Sequence, residues 1–244
     1  MNRAYRVILL DLFGTVVHFV PAAGASRGSL EWLRGPLAAL HPQVGFDDFR
    51  RALIEVSGAL VAERASEHRE VPSRERFRRT LETLGLEAES TDPSAGGAEV
   101  LSLAHMQHLA AQTELPAPHL DLLNELAGRY RLGLVSNFDH APTAHAILAK
   151  HGVRECFTAT LISDEFGRRK PHPSIFRAAL SQLSASPDEA LFVGDTAADD
   201  VCGAHAAGLD VAWLNRHGAA APDPPPTYTL CELTDLRGVL AVAH

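Results

Sequence analysis

The sequence predicts an α/β protein, a doubly wound parallel sheet with an all-helical insert after its first strand. Three observations predict it. Apolar runs that end in a chemistry-bearing residue recur along the chain: Val7 to Leu10 before Asp11, Leu132 to Val135 before Ser136, and Leu191 to Val193 before Gly194 and Asp195. Runs of this kind suit strands buried on both faces. From Leu132 onward they alternate with helical patterns, which is the signature of a parallel sheet. Between the first strand and Pro116 the helical spacing continues with no convincing strand to interrupt it.

Val7 to Leu10 is the first strand, and Asp11 stands at its carboxyl end, where open α/β sheets carry their chemistry. A carboxylate there is costly to bury unless it is paired, bound to metal or used. The insert follows. Phe49, Leu53, Val56 and Leu60 form one helical seam, and Phe77, Leu81 and Leu84 form another with Ser73 as its N-cap. Val100 to Ala111 makes a further helix. The charged stretch Glu63 to Glu70 reads as a solvated helix face, on which Arg64 or Arg69 is a candidate for selecting an anionic substrate. Asp92 to Gly97 is a loop, and Pro116-Ala117-Pro118 marks the return to the sheet.

The later elements come in strict alternation. Leu132 to Val135 is a strand, and Ala144, Ile147 and Leu148 belong to a helix that stops before Gly152. Thr158 to Ile162 is a strand, and Pro173 to Leu183 is an amphipathic helix through Phe176, Ala179, Leu180 and Leu183. Leu191 to Val193 is a strand, the helix after it ends at Gly208, and Val211 to Leu214 is the next strand. The Pro-rich stretch from Pro222 to Pro226 is a bend. The expected domains are therefore residues 1–16 with 116–244 for the sheet, and 17–115 for the helical insert.

Composition excludes several function classes. A chain of 244 residues with 46% apolar and 21% charged residues is ordinary for a globular protein. A formal net charge of −8 argues against broad binding to nucleic acid or anionic membranes, while leaving room for a small anion in a local positive pocket. No apolar run approaches the ~18–20 residues of a membrane span. The first residues run straight into the first strand, so no signal peptide is expected. The 3 cysteines, Cys156, Cys202 and Cys231, lack CxxC spacing. They fit a reduced, cytoplasmic setting without a zinc site.

Four markers carry the chemistry: Asp11 in Asp-Leu-Phe-Gly-Thr, the pair Ser136-Asn137, Lys170 in Lys-Pro-His-Pro-Ser-Ile-Phe, and Asp195 in Gly-Asp-Thr-Ala-Ala-Asp-Asp. A carboxylate can attack phosphorus and divide one hard step into two. Mg²⁺ prefers oxygen ligands and offsets the repulsion between a carboxylate and a phosphate. A lysine balances the remaining charge, and hydroxyls and turn amides donate to phosphate oxygens. In this order and spacing the chain resembles the haloacid dehalogenase (HAD) superfamily over nearly its whole length. The resemblance implies a Rossmann-like core of strand order 3-2-1-4-5, with a helical (C1-type) cap that closes over substrate. It implies Asp11 as nucleophile, Lys170 as its charge partner, and Thr15, Ser136 and Asn137 as phosphate-binding residues. It also implies a Mg²⁺ ion held by Asp11, the Phe13 backbone carbonyl, Asp195 and Asp200, with Asp199 the second choice for the outer carboxylate. The implied activity is hydrolysis of a small phosphorylated metabolite through an aspartyl-phosphate.

The chain departs from the phosphatase pattern at Phe13, where family phosphatases carry the aspartate that acts as general acid and base. Members with an aromatic there include the 2-haloacid dehalogenases, in which halide leaves without a proton. Dehalogenases, however, carry a Ser-x-Asn type of fourth motif and usually a tyrosine where this chain has Phe176. Dehalogenation and a weakly active or purely binding member thus stand as alternatives. His18 is a candidate replacement acid, and Asp139 and His140 are candidates for the site entrance. Arg168 and Arg169 read as solvated. The 13 histidines show no HxH or HxxxH pairing and form no metal cluster.

Overall fold

The computed structural model describes residues 4–20, 30–86 and 96–242. Its contacts divide the chain into two units, Met1–Phe19 with Thr113–His244, and Val20–Gln112.

The first unit is built on a six-stranded parallel sheet. Its strands are β1 (Val7–Leu10), β4 (Arg131–Ser136), β5 (Ala159–Ile162), β6 (Ala190–Gly194), β7 (Asp210–Leu214) and β8 (Tyr228–Leu230), in the order β5-β4-β1-β6-β7-β8. Counted along the chain, this is the expected 3-2-1-4-5 arrangement with a sixth strand added beyond β7. All four residues of β1 are buried, as a central strand covered on both faces requires. One face holds Val7, Leu9, Val135, Phe192 and Val211 against Ile175, Phe176 and Ala179 of α8 (Pro173–Gln182) and Ala204 of α9 (Cys202–Ala206). Helices α5 (Ala117–Ala127) and α6 (Ala141–Lys150) cover the other face with Leu122, Leu123, Leu126, Ile147 and Leu148. Burying each such side chain contributes about 1.5–3 kcal/mol. A four-residue helix, α7 (Ser163–Phe166), follows β5, and α10 (Leu236–Val242) follows β8.

The stretch read as free of strands contains two short ones. β2 (His18–Phe19) pairs antiparallel with β3 (Thr113–Glu114), so the chain leaves and re-enters the sheet unit side by side. Two residues per strand are too few for an alternation signal, which is why the pattern gave no warning.

The second unit is helical: α1 (Arg34–Leu40), α2 (Phe46–Glu67), α3 (Ser73–Thr83) and α4 (Gly97–Ala111). Leu33, Leu37, Phe49, Leu53, Phe77, Leu81 and Leu101 form its core. Helix α3 starts at Ser73 itself after Pro72, and the Ser73 hydroxyl accepts from Arg76 Nη2 at 3.2 Å instead of capping. The Glu63–Glu70 stretch is solvated only in part, with Ala65, Ser66, Glu67 and Arg69 exposed. Helix α2 ends at Glu67, His68 turns the chain at φ 50°, and Glu70 is buried against Arg64 Nε at 3.1 Å. Glu63 is paired with Arg79 Nη1 of α3 at 2.7 Å. The loop expected at Asp92 to Gly97 lies mostly outside the described residues. No described helix is long and apolar enough to cross a membrane.

Candidate active site

The register of the sheet brings the markers to one edge. Leu10 of β1 faces Leu134 of β4 on one side and Val193 of β6 on the other, so Asp11, Ser136 and Asp195 all emerge at the carboxyl ends of neighbouring strands. The Asp11 N–H extends the ladder by donating to the Val193 carbonyl at 2.9 Å. A tight turn then folds back: the N–H groups of Val16 and Val17 both donate to the Leu12 carbonyl at 2.9 Å. Gly14 sits in this turn at φ +83°, and a Cβ there would stand 2.2 Å from Asp195 Oδ2. Only glycine lets the turn approach Asp195 so closely.

Asp200 arrives through a wide helical turn, Ala197–Val201, which opens α9. Its Oδ2 accepts from the Thr196 N–H at 2.9 Å. A Cβ at Gly194 would meet the Asp200 carboxyl at 2.4 Å, so a second glycine makes room for the second carboxylate. Asp11, Asp195 and Asp200 each offer an oxygen, and these oxygens all lie within 4.8 Å of one another.

One ammonium faces this cluster. Lys170, only 2% exposed, holds Nζ 2.6 Å from Asp11 Oδ1 and 2.7 Å from Asp200 Oδ1. Burial alone would lower its pKa, but the two carboxylates override that and raise it, so Lys170 is charged. Burial pushes the Asp11 carboxyl up to about 7, with Asp200 adding to the rise and Lys170 opposing it. Asp195 is likewise raised, by burial first and by Asp200 second. Three carboxylates against one lysine leave a buried excess of negative charge. The donors are hard oxygens, and the set fits a hard divalent cation such as Mg²⁺.

Lys170 is itself held by Asn137. The Asn137 Oδ1 accepts from the Lys170 N–H at 2.7 Å, and its Nδ2 donates to the Lys170 carbonyl at 2.9 Å and to Asp199 Oδ2 at 3.0 Å. The Asn137 side-chain amide has both protons engaged and fixes the lysine backbone. Asp199 is tied to Asn137 and lies outside the three-carboxylate cluster. The hydroxyls of Thr15 and Ser136, in contrast, are buried without a hydrogen-bond partner. Two orphaned hydroxyls on the segments that carry Asp11 and Asn137 suit the oxygens of an anion.

A profile of haloacid dehalogenase-like hydrolases matches residues 5–208. The chain belongs to that family. Among its relatives, the pyrimidine 5'-nucleotidase YjjG of Escherichia coli is 37% identical over 131 residues, covering 52% of this chain and 57% of that enzyme. The phosphoglycolate phosphatase of Rhodospirillum rubrum is 31% identical over 223 residues, covering 86% of this chain and 79% of the relative. The chain thus spans only about half the length of YjjG. A crystal structure of a 2-haloacid dehalogenase from Pseudomonas syringae pv. Tomato superposes with a TM-score of 0.74 at 26% identity, over 97% of this chain and 98% of that one.

In this HAD-like chain, Phe13 belongs to an aromatic cluster. Its ring stacks on Phe19 at 4.9 Å and 6°, and leans on Phe138 at 4.7 Å. Phe19 is 41% exposed. His18 packs its ring 5.3 Å from His119, and its pKa is lowered, first by burial and then by Arg216. Burial and Arg216 thus disfavour the protonated ring that a proton donor needs. His140 stands at the N-cap position of α6 with its ring bonded to the Thr143 hydroxyl rather than to a main-chain N–H, and Arg169 acts electrostatically on Asp199. Phe176 is fully buried against Phe192 in the core. Sequence reasoning missed Trp213 and Arg216. The Trp213 Nε1 donates to the Asp195 carbonyl at 2.9 Å, and Arg216 Nη1 donates to the Gly14 carbonyl.

Proposed function

We propose that this HAD-like protein is a Mg²⁺-dependent phosphatase of small phosphorylated metabolites. The observation that carries the reading is the convergence of Asp11, Asp195 and Asp200 on Lys170, beside the unpartnered hydroxyls of Thr15 and Ser136. The phosphatase names of its relatives support it.

Asp11, Asp195, Asp200 and the Phe13 carbonyl would hold the Mg²⁺, which would supply positive charge to draw carboxylate and phosphate together. The chain's own residues do the rest. Lys170 offsets charge on Asp11 and on the incoming phosphoryl group. Thr15 and Ser136 donate to phosphoryl oxygens and fix their orientation. Asp11 attacks phosphorus, an Asp–O–P bond forms, and the bond to the leaving oxygen breaks with its electron pair going to the leaving group. Water then cleaves the acyl phosphate, releasing phosphate and restoring the carboxylate. Asn137 keeps Lys170 in register throughout.

Phe13 favours a second reading, in which Asp11 displaces halide from a 2-haloacid, since halide needs no proton. The structural likeness to a 2-haloacid dehalogenase is in line with it. A screen of the purified protein against phosphate monoesters, acyl phosphates and 2-haloacids, with Mg²⁺ and with EDTA, separates the two. Phosphate release that EDTA abolishes is expected. Halide release in EDTA without any phosphate release would overturn the phosphatase reading.

A further inference from the structure

Two donors from one end of β7 grip the main chain of both acidic segments. Trp213, the fourth residue of β7, gives its Nε1–H to the Asp195 carbonyl at 2.9 Å. Arg216, just past β7, reaches 202 residues back along the chain to the Gly14 carbonyl. Gly14 lies against the Asp195 carboxylate, so the two gripped segments touch each other between the two donors.

The loop that carries Arg216 is itself braced. Asn215 N–H donates to the Leu230 carbonyl at 2.8 Å, Asn215 Nδ2 donates to the Ala219 carbonyl at 2.9 Å, and the Ala219 N–H returns to Asn215 Oδ1 at 2.9 Å. Arg216 also keeps Nη2 buried with no hydrogen-bond partner among the described residues, and Glu232, an acidic neighbour, is 4.0 Å from Nε. A buried unpaired donor costs stability and asks for an explanation. The bond to Gly14 supplies one: the guanidinium is held where it is to reach that carbonyl.

We propose that Trp213 and Arg216 are positioning residues that together set the separation of the Asp11–Thr15 turn from Asp195, and through it the affinity of the carboxylate cluster for a divalent cation. The inference rests on reading that cluster as the Mg²⁺ site. Neither side chain coordinates the cation; both act through the main chain that carries its ligands. Partners of this outer kind typically change metal affinity by ~10–100-fold when removed.

The test is calorimetric titration of the full-length protein with Mg²⁺ alone, in the absence of substrate, with melting temperatures recorded alongside. Arg216→Ala is expected to weaken Mg²⁺ binding by roughly tenfold or more. Arg216→Lys, or free guanidinium added to Arg216→Ala below denaturing concentration, restores part of it. Trp213→Phe, which removes the N–H and keeps an aromatic ring, is expected to weaken binding in the same direction. Leu101→Val, a change in the separate core of the helical unit, controls for general loss of stability and leaves Mg²⁺ affinity unchanged. Wild-type affinity in both Arg216→Ala and Trp213→Phe overturns the proposal while leaving the cation site standing. If wild type binds no Mg²⁺, the cation reading falls and this one falls with it. Should Arg216→Ala fail to fold, Trp213→Phe carries the test alone, with unchanged affinity as the overturning result.

Discussion

Lys170 Nζ stands 2.6 Å from Asp11 Oδ1, joining residues 159 positions apart in the chain. Both are buried, and the same ammonium serves Asp200 at 2.7 Å. An ion pair this deep adds little net stability, because desolvation offsets the attraction. It is costly to break from the lysine side, which leaves two buried carboxylates unpaired, and less so from the Asp11 side, where Asp200 still pairs with the ammonium; that asymmetry organises the first two predictions.

Lys170→Met removes the only ammonium that faces two buried carboxylates among the described residues. Breaking a buried pair from one side costs about 3–5 kcal/mol. Urea denaturation in EDTA is expected to show a loss of that size, and millimolar Mg²⁺ to recover part of it. An unchanged midpoint in EDTA would mean that the cluster is hydrated and its charges are already screened.

Asp11→Asn keeps shape and removes charge. Its carboxyl is pushed up to about 7, first by burial, so the charged form is disfavoured where it stands. The variant should therefore melt in EDTA at the wild-type temperature or above it. Phosphatase turnover should fall ~10³-fold or more if Asp11 is the nucleophile. Near wild-type turnover would remove Asp11 from that role.

Phe13 predicts the shape of a leaving-group series. Acid–base help is typically worth ~10²–10⁴ in rate. Phe13 cannot give it, and at His18, the nearest candidate in sequence, burial and Arg216 disfavour the protonated ring. The rate, measured as kcat/KM over phosphate monoesters, should fall steeply as leaving-group pKa rises. Acyl phosphates and aryl phosphates should be turned over far faster than sugar phosphates. A flat series would reveal a proton donor elsewhere.

His119 makes stability depend on pH. Its Nδ1 bonds the Val16 carbonyl at 3.0 Å, and burial lowers its pKa below 6.5. Below 6.5 the unfolded chain takes up a proton that the folded ring resists. The stabilisation is full above the unfolded value and is lost as pH falls through the lower folded one. Moving from about pH 8 to about pH 5 should lower the urea midpoint, and His119→Gln should flatten part of that slope. An equal slope in the variant would assign the loss to other groups.

The parallel sheet was legible because its strands are apolar on both faces and so read as unbroken runs. β8 escaped because it is three residues, Tyr228–Leu230, beyond a run of prolines, with no periodicity to detect. The markers Asp11, Ser136 and Asp195 were legible as residue types at strand ends, and Lys170 as a lone lysine before Pro171. What Asn137 does was not, because its partners are the main chain of Lys170, 33 residues away, and main-chain partners leave no trace in residue type. Trp213 and Arg216 were hidden for the same reason. Glu70 misled because a run of charges looks the same whether its members face water or each other.

The position of β1 has a consequence for how the chain is made. β1 lies in the middle of the sheet, with Val7 paired to Arg131 on one side and to Ala190 on the other. During synthesis it emerges first and then waits while the whole helical unit is translated. Its first neighbour strand follows that unit, and its second follows two further helical crossovers. Both hydrogen-bonding edges lack a native partner until β4 emerges, and one still lacks it until β6 does, a state that invites pairing with other chains. Nascent chains stopped before β6 should be the ones that need a chaperone. Chains carried past it should close the sheet and protect the strand that begins the site.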